Sequence, residues 1–157
     1  MTTEVIHSIF IDTNILVYAN LTSSPFHKEA RQAVRTLQSA KKDLWINRQV
    51  LREYLAVVTR QTFTVPLPPA QATTDIQLFE QMFAVADETS EVTKELLSLL
   101  QTIPSSGKQI HDANIVATML VYKIDALFTH NVSDFNRFDH LITVLPLMQE
   151  NTSSTQN

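Results

Sequence analysis

The chain has 157 residues and a net charge of −4, and it contains one glycine and no cysteine. Its length fits one domain, and 44% apolar with 18% charged residues is enough to form a single packed core. The missing cysteine excludes a disulfide scaffold and a thiolate nucleophile, and a single glycine excludes the glycine-rich loops that bind nucleotide phosphates.

Apolar runs and segments with helical periodicity alternate along the chain. Short apolar runs predict five strands: 7–11, 44–46, 83–86, 126–129 and 142–145. Helical periodicity predicts helices over five further segments: 25–41, 48–61, 69–81, 90–103 and 111–123. Ser24 and Pro25 are typical of the N-cap and first position of the first of these helices. We expect one domain over 1–148 and a disordered polar tail, 149–157.

Strands that alternate with helices in this way are typical of βαβ units. The sequence therefore predicts an α/β domain, a three-layer α/β/α sandwich with a central parallel sheet. In such folds ligands bind beyond the carboxyl ends of the strands. Residues that follow a strand or open the next helix are therefore the candidates for function.

Four acidic residues are placed to meet at that edge of the sheet. Asp12 and Asp134 each follow a predicted strand, and Asp112 opens the helix 111–123. Glu53 lies at the border of the apolar face of helix 48–61, from which it can reach the same edge. Each acid alone is explained equally well as a helix cap, a turn residue or a solvated side chain. Their joint placement predicts one acidic site.

Four carboxylates at one place repel one another and raise one another's pKa values. A divalent cation relieves this repulsion, and oxygen ligands suit Mg²⁺ or Mn²⁺. The five histidines show none of the spacings of zinc hydrolases. An acidic site with such a cation indicates hydrolysis of phosphoesters, because the cation polarises a phosphoryl oxygen and stabilises the departing oxygen.

Eight of the twelve basic residues lie between Lys28 and Arg60. With three acids in the same stretch the local charge is +5, so the rest of the chain carries −9. Solvated helix faces explain this run as well as a surface that attracts phosphate groups does. On the second interpretation four side chains are candidates for binding phosphate groups: Lys28, Arg31, Arg48 and Arg52.

Four segments together resemble the PIN-domain ribonucleases, above all the VapC-type toxins of bacterial toxin–antitoxin pairs. The segments are Asp12-Thr-Asn-Ile-Leu, Glu53 within Arg-Glu-Tyr-Leu, Asp112-Ala-Asn-Ile-Val-Ala, and Thr129-His-Asn-Val-Ser-Asp-Phe. They follow the family's order and spacing from Phe10 to about Leu145. The resemblance implies a Mg²⁺- or Mn²⁺-dependent endoribonuclease that cleaves single-stranded regions of RNA.

The resemblance also implies a role for each candidate residue. Asp12, Glu53 and Asp112 match the three regular acids of the family, and either Asp134 or Asn131 completes the site. Three acids would hold the metal, directly or through water: Asp12, Asp112 and Asp134. Glu53 would orient or deprotonate the attacking water. Polar neighbours would hold the carboxylates or bound water by hydrogen bonds: Thr13, Asn14, Thr129 and Asn131.

A homodimer and a cognate antitoxin are implied as well, the antitoxin placing an Arg or Lys against Asp12 and Asp112. Large apolar side chains beyond the needs of one helix face fit an interface: Phe26, Trp45, Phe63 and those of 50–58. Completion of the core explains them equally well. No apolar run approaches the ~20 residues that span a bilayer, and no signal peptide opens the chain. We therefore expect a cytoplasmic protein without membrane association.

The leading alternative is a catalytically degenerate PIN domain that acts through protein contacts, against which the three regular acids argue. A phosphatase of the haloacid dehalogenase type needs an acid at position 14, which is Asn14. A response-regulator receiver needs a lysine after a late strand, and none follows Phe128 there.

Overall fold

The structure is a computed structural model that describes residues 5–60 and 65–148. Within them one sheet has five strands: β1 (Ser8–Ile11), β2 (Asp43–Asn47), β3 (Ala84–Ala86), β4 (Ala126–Thr129) and β5 (Thr143–Pro146). Every strand pairing is parallel, and the spatial order is β3-β2-β1-β4-β5. The order of the strands reverses between β1 and β4, so the binding crevice of this fold lies at their carboxyl ends.

Helices cover both faces of the sheet. They are α1 (Thr13–Asn20), α2 (His27–Ser39), α3 (Arg48–Val58), α4 (Pro69–Met82), α5 (Ser90–Thr102) and α6 (Gln109–Tyr122). A 3₁₀ helix, Val132–Phe138, joins β4 to β5. Helix α1 packs on α2 and α3, whereas α5 packs on α6. Right-handed crossovers place these two groups on opposite faces, which confirms the predicted three-layer α/β/α sandwich.

The centre of the sheet is buried and mostly apolar, with Ser8 and Thr129 as its polar residues. All four residues of β1 and all four of β4 are buried, as expected for strands in the middle of a sheet with helices on both sides. Such strands are nearly continuous apolar runs without alternation, which is why the sequence predicts them well. None of the helices in 5–60 and 65–148 is long and apolar enough to cross a membrane.

Two elements and one cap differ from the prediction. The apolar run after Asp12 forms helix α1, and the segment after β4 forms the 3₁₀ helix, neither of which has a periodic pattern. Ser24 does not cap α2: its hydroxyl donates to Leu21 O at 2.6 Å instead, and the N-cap is Phe26. Helix α6 begins at Gln109, two residues before the predicted start.

The apolar side chains predicted to form surplus surface belong mainly to the core. Four members of 50–58 are buried, so the interpretation of this segment as an interface is wrong for Val50, Leu51, Tyr54 and Val58. Trp45 and Phe26 are partly buried and pack against other aromatic rings of the same chain. Phe63, the end of helix 48–61 at Gln61 and the tail 149–157 lie outside the described residues.

Candidate active site

Asp12 links the two strands beside the crevice. It follows β1 and is the N-cap of α1, and its N–H donates to Phe128 O in β4 at 3.0 Å. Its Oδ1 accepts a hydrogen bond from Thr13 N at 2.8 Å, and its Oδ2 accepts bonds from Thr129 Oγ1 at 2.7 Å and Asn14 Nδ2 at 3.2 Å. Helix capping and a defined carboxylate orientation are therefore combined in one residue.

The Thr129 hydroxyl connects the turn after β4 to the start of α1. It donates to Asp12 and accepts hydrogen bonds from Asn14 Nδ2 at 3.2 Å and Asn131 N at 3.1 Å. Asn14 Oδ1 in turn accepts a bond from His130 N at 3.0 Å. These contacts fix the backbone of the turn relative to the Asp12 carboxylate.

Helix α3 brings Glu53 to the same place. The helix begins directly after β2, where Asn47 Oδ1 caps it by accepting from Val50 N at 2.9 Å. Glu53 Oε2 accepts a hydrogen bond from Thr13 Oγ1, and Oε1 accepts one from Gln49 Nε2, both at 2.8 Å. Thr13 therefore bridges Asp12 and Glu53 through its N–H and its hydroxyl.

One open cavity of about 440 Å³ joins the four predicted acids, which come from four different elements. Asp12 and Glu53 line it from α1 and α3, Asp112 from the first turn of α6, and Asp134 from the first turn of the 3₁₀ helix. Asn131 also lines this cavity. The structure thus brings together all four acids that the sequence singled out.

The acids affect one another's ionisation. Burial raises the pKa of the Asp12 carboxyl from 3.8 to about 6, and the charge of Glu53 contributes to the rise. Burial raises the pKa of Asp112 to about 6 as well, and the charges of Asp134 and Asp12 add to this effect. The cationic Arg137 acts in the opposite direction on the pKa of Asp112. The cavity therefore carries negative charge that is only partly compensated.

The donor groups fit a hard divalent cation. Within the described parts of the chain, no three His, Asp or Glu side chains form a ready-made metal site. Mg²⁺ needs only one or two carboxylates, because it retains several waters. Asp12 and Asp112 supply carboxylates whose charge is disfavoured without a counterion, and Asp134 and Asn131 supply further oxygens on the same cavity. An all-oxygen donor set of this kind suits Mg²⁺ or Mn²⁺.

Two of the four predicted phosphate-binding residues are engaged in exposed ion pairs. Arg48 contacts Glu80 at 2.9 Å and Asp87 at 3.3 Å, and Arg52 contacts Glu88 at 3.3 Å. Pairs of this kind contribute about 0–1 kcal/mol and exchange readily. Neither arginine is among the residues that line the acidic cavity.

Lys28 and Arg31 lie on an exposed part of α2, together with Arg35. The basic side chain that lines the acidic cavity is Arg60, just after α3. The sequence counted Arg60 in the basic stretch but did not single it out. Contact of the four predicted side chains with RNA stays a prediction.

Sequence reasoning missed two side chains that position Glu53. Gln49, only 6% exposed, donates to Glu53 and accepts a hydrogen bond from Asn114 Nδ2 at 3.2 Å. The chain Asn114–Gln49–Glu53 therefore ties α6 to α3 beside the cavity. The spacing of four residues between Gln49 and Glu53 was the one available signal, whereas the contact with Asn114 depends on tertiary packing.

A fully parallel sheet with four acids gathered in its switch-point crevice defines an α/β protein with an acidic crevice. The family follows from comparison with known proteins. The PIN domain profile matches residues 9–141, and the chain belongs to the PIN-domain family. Ribonuclease VapC48 of Mycobacterium tuberculosis is 28% identical over 131 residues, which cover 82% of this chain and 90% of the relative. This confirms the resemblance noted from the sequence motifs.

Solved structures with the same fold include three from toxin–antitoxin systems. VapBC2 of Rickettsia felis, bound to a DNA fragment from its promoter, has a TM-score of 0.63 at 19% identity and covers 88% of this chain and 97% of its own. VapC20 of Mycobacterium tuberculosis, a sarcin-ricin loop cleaving toxin, has a TM-score of 0.61 at 17% identity and covers 82% of this chain and 95% of its own. A toxin–antitoxin complex of Klebsiella pneumoniae has a TM-score of 0.60 at 21% identity, and the match covers 90% of this chain and 99% of the chain in that complex. These likenesses support the α/β/α fold.

Proposed function

We propose that this protein is an endoribonuclease that uses Mg²⁺ or Mn²⁺ to hydrolyse phosphodiester bonds in single-stranded RNA. We propose further that it is the toxin of a toxin–antitoxin pair. The observation that carries the proposal is the meeting of four carboxylates from four elements in one open cavity. Membership of the PIN-domain family and the likeness to a VapC ribonuclease support it.

Three acids of the cavity would hold the cation, directly or through water: Asp12, Asp112 and Asp134. When bound, the cation supplies positive charge that polarises a phosphoryl oxygen and stabilises the departing oxygen. We assign the fourth acidic position to Asp134 rather than Asn131, because the charge of Asp134 already acts on Asp112. Asn131 donates its N–H to Thr129, which orients Asp12.

Glu53 is the residue that would orient or deprotonate the attacking water. Hydrogen bonds from Thr13 and Gln49 anchor its two oxygens separately, so the carboxylate is held in one orientation at the cavity wall. A base fixed in this way typically contributes about 10²- to 10⁴-fold to a rate. Arg60 lines the same cavity and is placed to contact an RNA phosphate, with Lys28 and Arg31 on the neighbouring surface of α2.

The purified protein is expected to cleave single-stranded RNA in Mn²⁺ or Mg²⁺ and to leave it intact in EDTA. Duplex RNA of the same sequence serves as the control substrate and is expected to resist cleavage. Gel electrophoresis of end-labelled RNA measures both reactions. Absence of cleavage, together with absence of Mn²⁺ binding in calorimetry, would instead support the catalytically degenerate PIN domain.

A cognate antitoxin fits the charge of the cavity. An Arg or Lys of the partner placed between Asp12 and Asp112 would neutralise both carboxylates and exclude the cation. The likeness to structures of toxin–antitoxin complexes supports this proposal. The homodimer stays a prediction.

Replacement of Gln49 by Leu tests the role of the Asn114–Gln49–Glu53 chain. We expect kcat for RNA cleavage to fall about 10- to 100-fold, the usual effect of losing an outer partner of a metal-site residue, with KM almost unchanged. The physical reason is that Glu53 loses the N–H that fixes Oε1.

The matched control is Gln71→Leu. Gln71 donates to Asp75 at 3.0 Å with the same spacing of four residues, on α4 and outside the acidic cavity. Steady-state kinetics of both variants measure the effect. A Gln49→Leu variant with the kcat of the wild type, or equal losses in both variants, would contradict the positioning role.

A further inference from the structure

Three aromatic rings form a cluster beside the acidic cavity that the proposed chemistry does not use. They are Tyr18 at the end of α1, Phe26 in the loop between α1 and α2, and His130 in the turn after β4. The ring centroids of Phe26 and His130 lie 4.8 Å apart, those of Tyr18 and His130 5.5 Å, and those of Tyr18 and Phe26 5.9 Å. We call this group the aromatic cluster.

The aromatic cluster is fixed in position relative to the acids. Tyr18 itself lines the acidic cavity. His130 stands between Thr129, which donates to Asp12, and Asn131, which lines the cavity. The turn that carries His130 therefore also orients the Asp12 carboxylate, so the distance between ring and acid is set by the fold.

The loop before α2 is folded back to present Phe26. His27 Nδ1 lies 2.8 Å from Tyr18 O, within hydrogen-bond distance, and Ser24 Oγ lies 3.1 Å from the same oxygen. Phe26 has φ 61°, in the left-handed region that a glycine adopts easily and a bulky residue adopts at a cost. Local backbone preference does not favour a phenylalanine at this position, so the ring is held there by the surrounding contacts.

The exposure of the aromatic cluster differs from that of core aromatics. Tyr18, Phe26 and His130 are all partly exposed, whereas Phe10 and Phe135 are fully buried. Partly exposed rings beside a single-strand nucleic-acid site bind bases by stacking, since every nucleobase has a π-face. The bases of a duplex are already stacked on their neighbours and are unavailable for such contacts.

We propose that the aromatic cluster is a nucleobase subsite, which stacks on one unpaired base of an RNA strand whose phosphate lies at the acidic cavity. The inference rests on the proposed function, because it requires RNA at the acids. It adds a physical reason for selecting single strands and assigns that selection to these three rings.

Binding to a single-stranded RNA probe tests the inference without relying on cleavage. The probe is a fluorescein-labelled RNA of about 10 nucleotides, within the ~4–16 that single-strand sites cover. Fluorescence anisotropy is measured in Mn²⁺ with all variants in a Glu53→Gln background, which retains the three proposed metal-binding acids. Phe26→Gly and His130→Ala are each expected to weaken binding roughly 5- to 150-fold, the usual range for a lost stacking contact.

Two controls separate stacking from a structural role. His130→Phe keeps a ring and is expected to restore the affinity that His130→Ala loses. Tyr122→Leu removes a partly exposed ring that pairs with Trp45, at a centroid distance of 5.5 Å and outside the acidic cavity, and is expected to leave affinity unchanged. Glycine adopts the φ of Phe26 readily, so Phe26→Gly is expected to fold.

A set of probes with a single abasic position identifies the stacked base. At one position of the probe, removal of the base is expected to weaken binding by the Glu53→Gln protein. The same removal is expected to cause no further loss of affinity in the His130→Ala variant, because a double-mutant cycle gives this result for partners in contact. Equal effects of the abasic change in both proteins at every position, or no weakening by either ring variant, would overturn the subsite.

The outcomes also separate this inference from the proposed function. A wild-type protein that cleaves RNA while the ring variants bind normally would overturn the subsite alone. Ring-dependent binding by a protein that cleaves no RNA would overturn the nuclease proposal and support the subsite. A protein that binds no probe would overturn both.

Discussion

Asp12→Asn and Asp112→Asn are each expected to abolish Mn²⁺-dependent RNA cleavage while the protein stays folded. An amide keeps the shape of the side chain but removes the negative charge with which each residue would hold the cation. The loss of one electrostatic contact to a transition state costs about 10²- to 10³-fold in rate. We expect at least this loss for each variant, because the cation serves several steps of the reaction.

Cleavage at saturating Mn²⁺ and a parallel calorimetric titration of Mn²⁺ measure this effect. Asp43→Asn is the matched control, since it removes one negative charge from an exposed residue at the start of β2, outside the acidic cavity. Circular dichroism confirms that each variant is folded. Retained activity in both the Asp12 and the Asp112 variant would contradict the assignment of the site.

The positions of three acids could be predicted because Asp12 and Asp134 come after a strand and Asp112 lies in the first turn of a helix. Buried strands such as β1 and β4 are nearly continuous apolar runs, and Asp12 follows β1 directly whereas Asp134 lies in the 3₁₀ helix that comes after β4. A parallel sheet then gathers these positions at one edge. The local pattern and the topology together were therefore sufficient to place the carboxylates in one cavity.

The side chains that position or neutralise these acids could not be predicted in the same way. Asn114 reaches Gln49 across 65 positions of the chain, and Arg48 pairs with Glu80 across 32. Such pairs depend on how α6 packs near α3 and how α4 packs on α3, which no local pattern encodes. From the sequence, the basic residues of the predicted helix 48–61 were equally good candidates for binding phosphate. In the structure, Arg60 lines the acidic cavity, whereas Arg48 pairs with Glu80 outside it.

The raised pKa of Asp112 has a consequence for stability that can be measured without RNA. The folded protein holds this proton with a pKa of about 6, against 3.8 when unfolded. Its contribution to the free energy of unfolding is therefore fully present below pH 3.8 and is lost as the pH rises through about 6. At about 1.4 kcal/mol for each pKa unit this amounts to at most about 3 kcal/mol.

Asp112→Asn is accordingly expected to stabilise the metal-free protein by about 1–2 kcal/mol at pH 8, after allowance for the partial exposure of the side chain. Urea unfolding in EDTA between pH 4 and pH 8 should show this gain at the alkaline end and its disappearance towards pH 4. Asp43→Asn, which removes a negative charge outside the acidic cavity, is the control measured in parallel. Mn²⁺ is expected to stabilise the wild type more than Asp112→Asn, since it binds the folded state that retains all its acids. A variant less stable than the wild type at pH 8 would show that the charge of Asp112 is compensated within the fold.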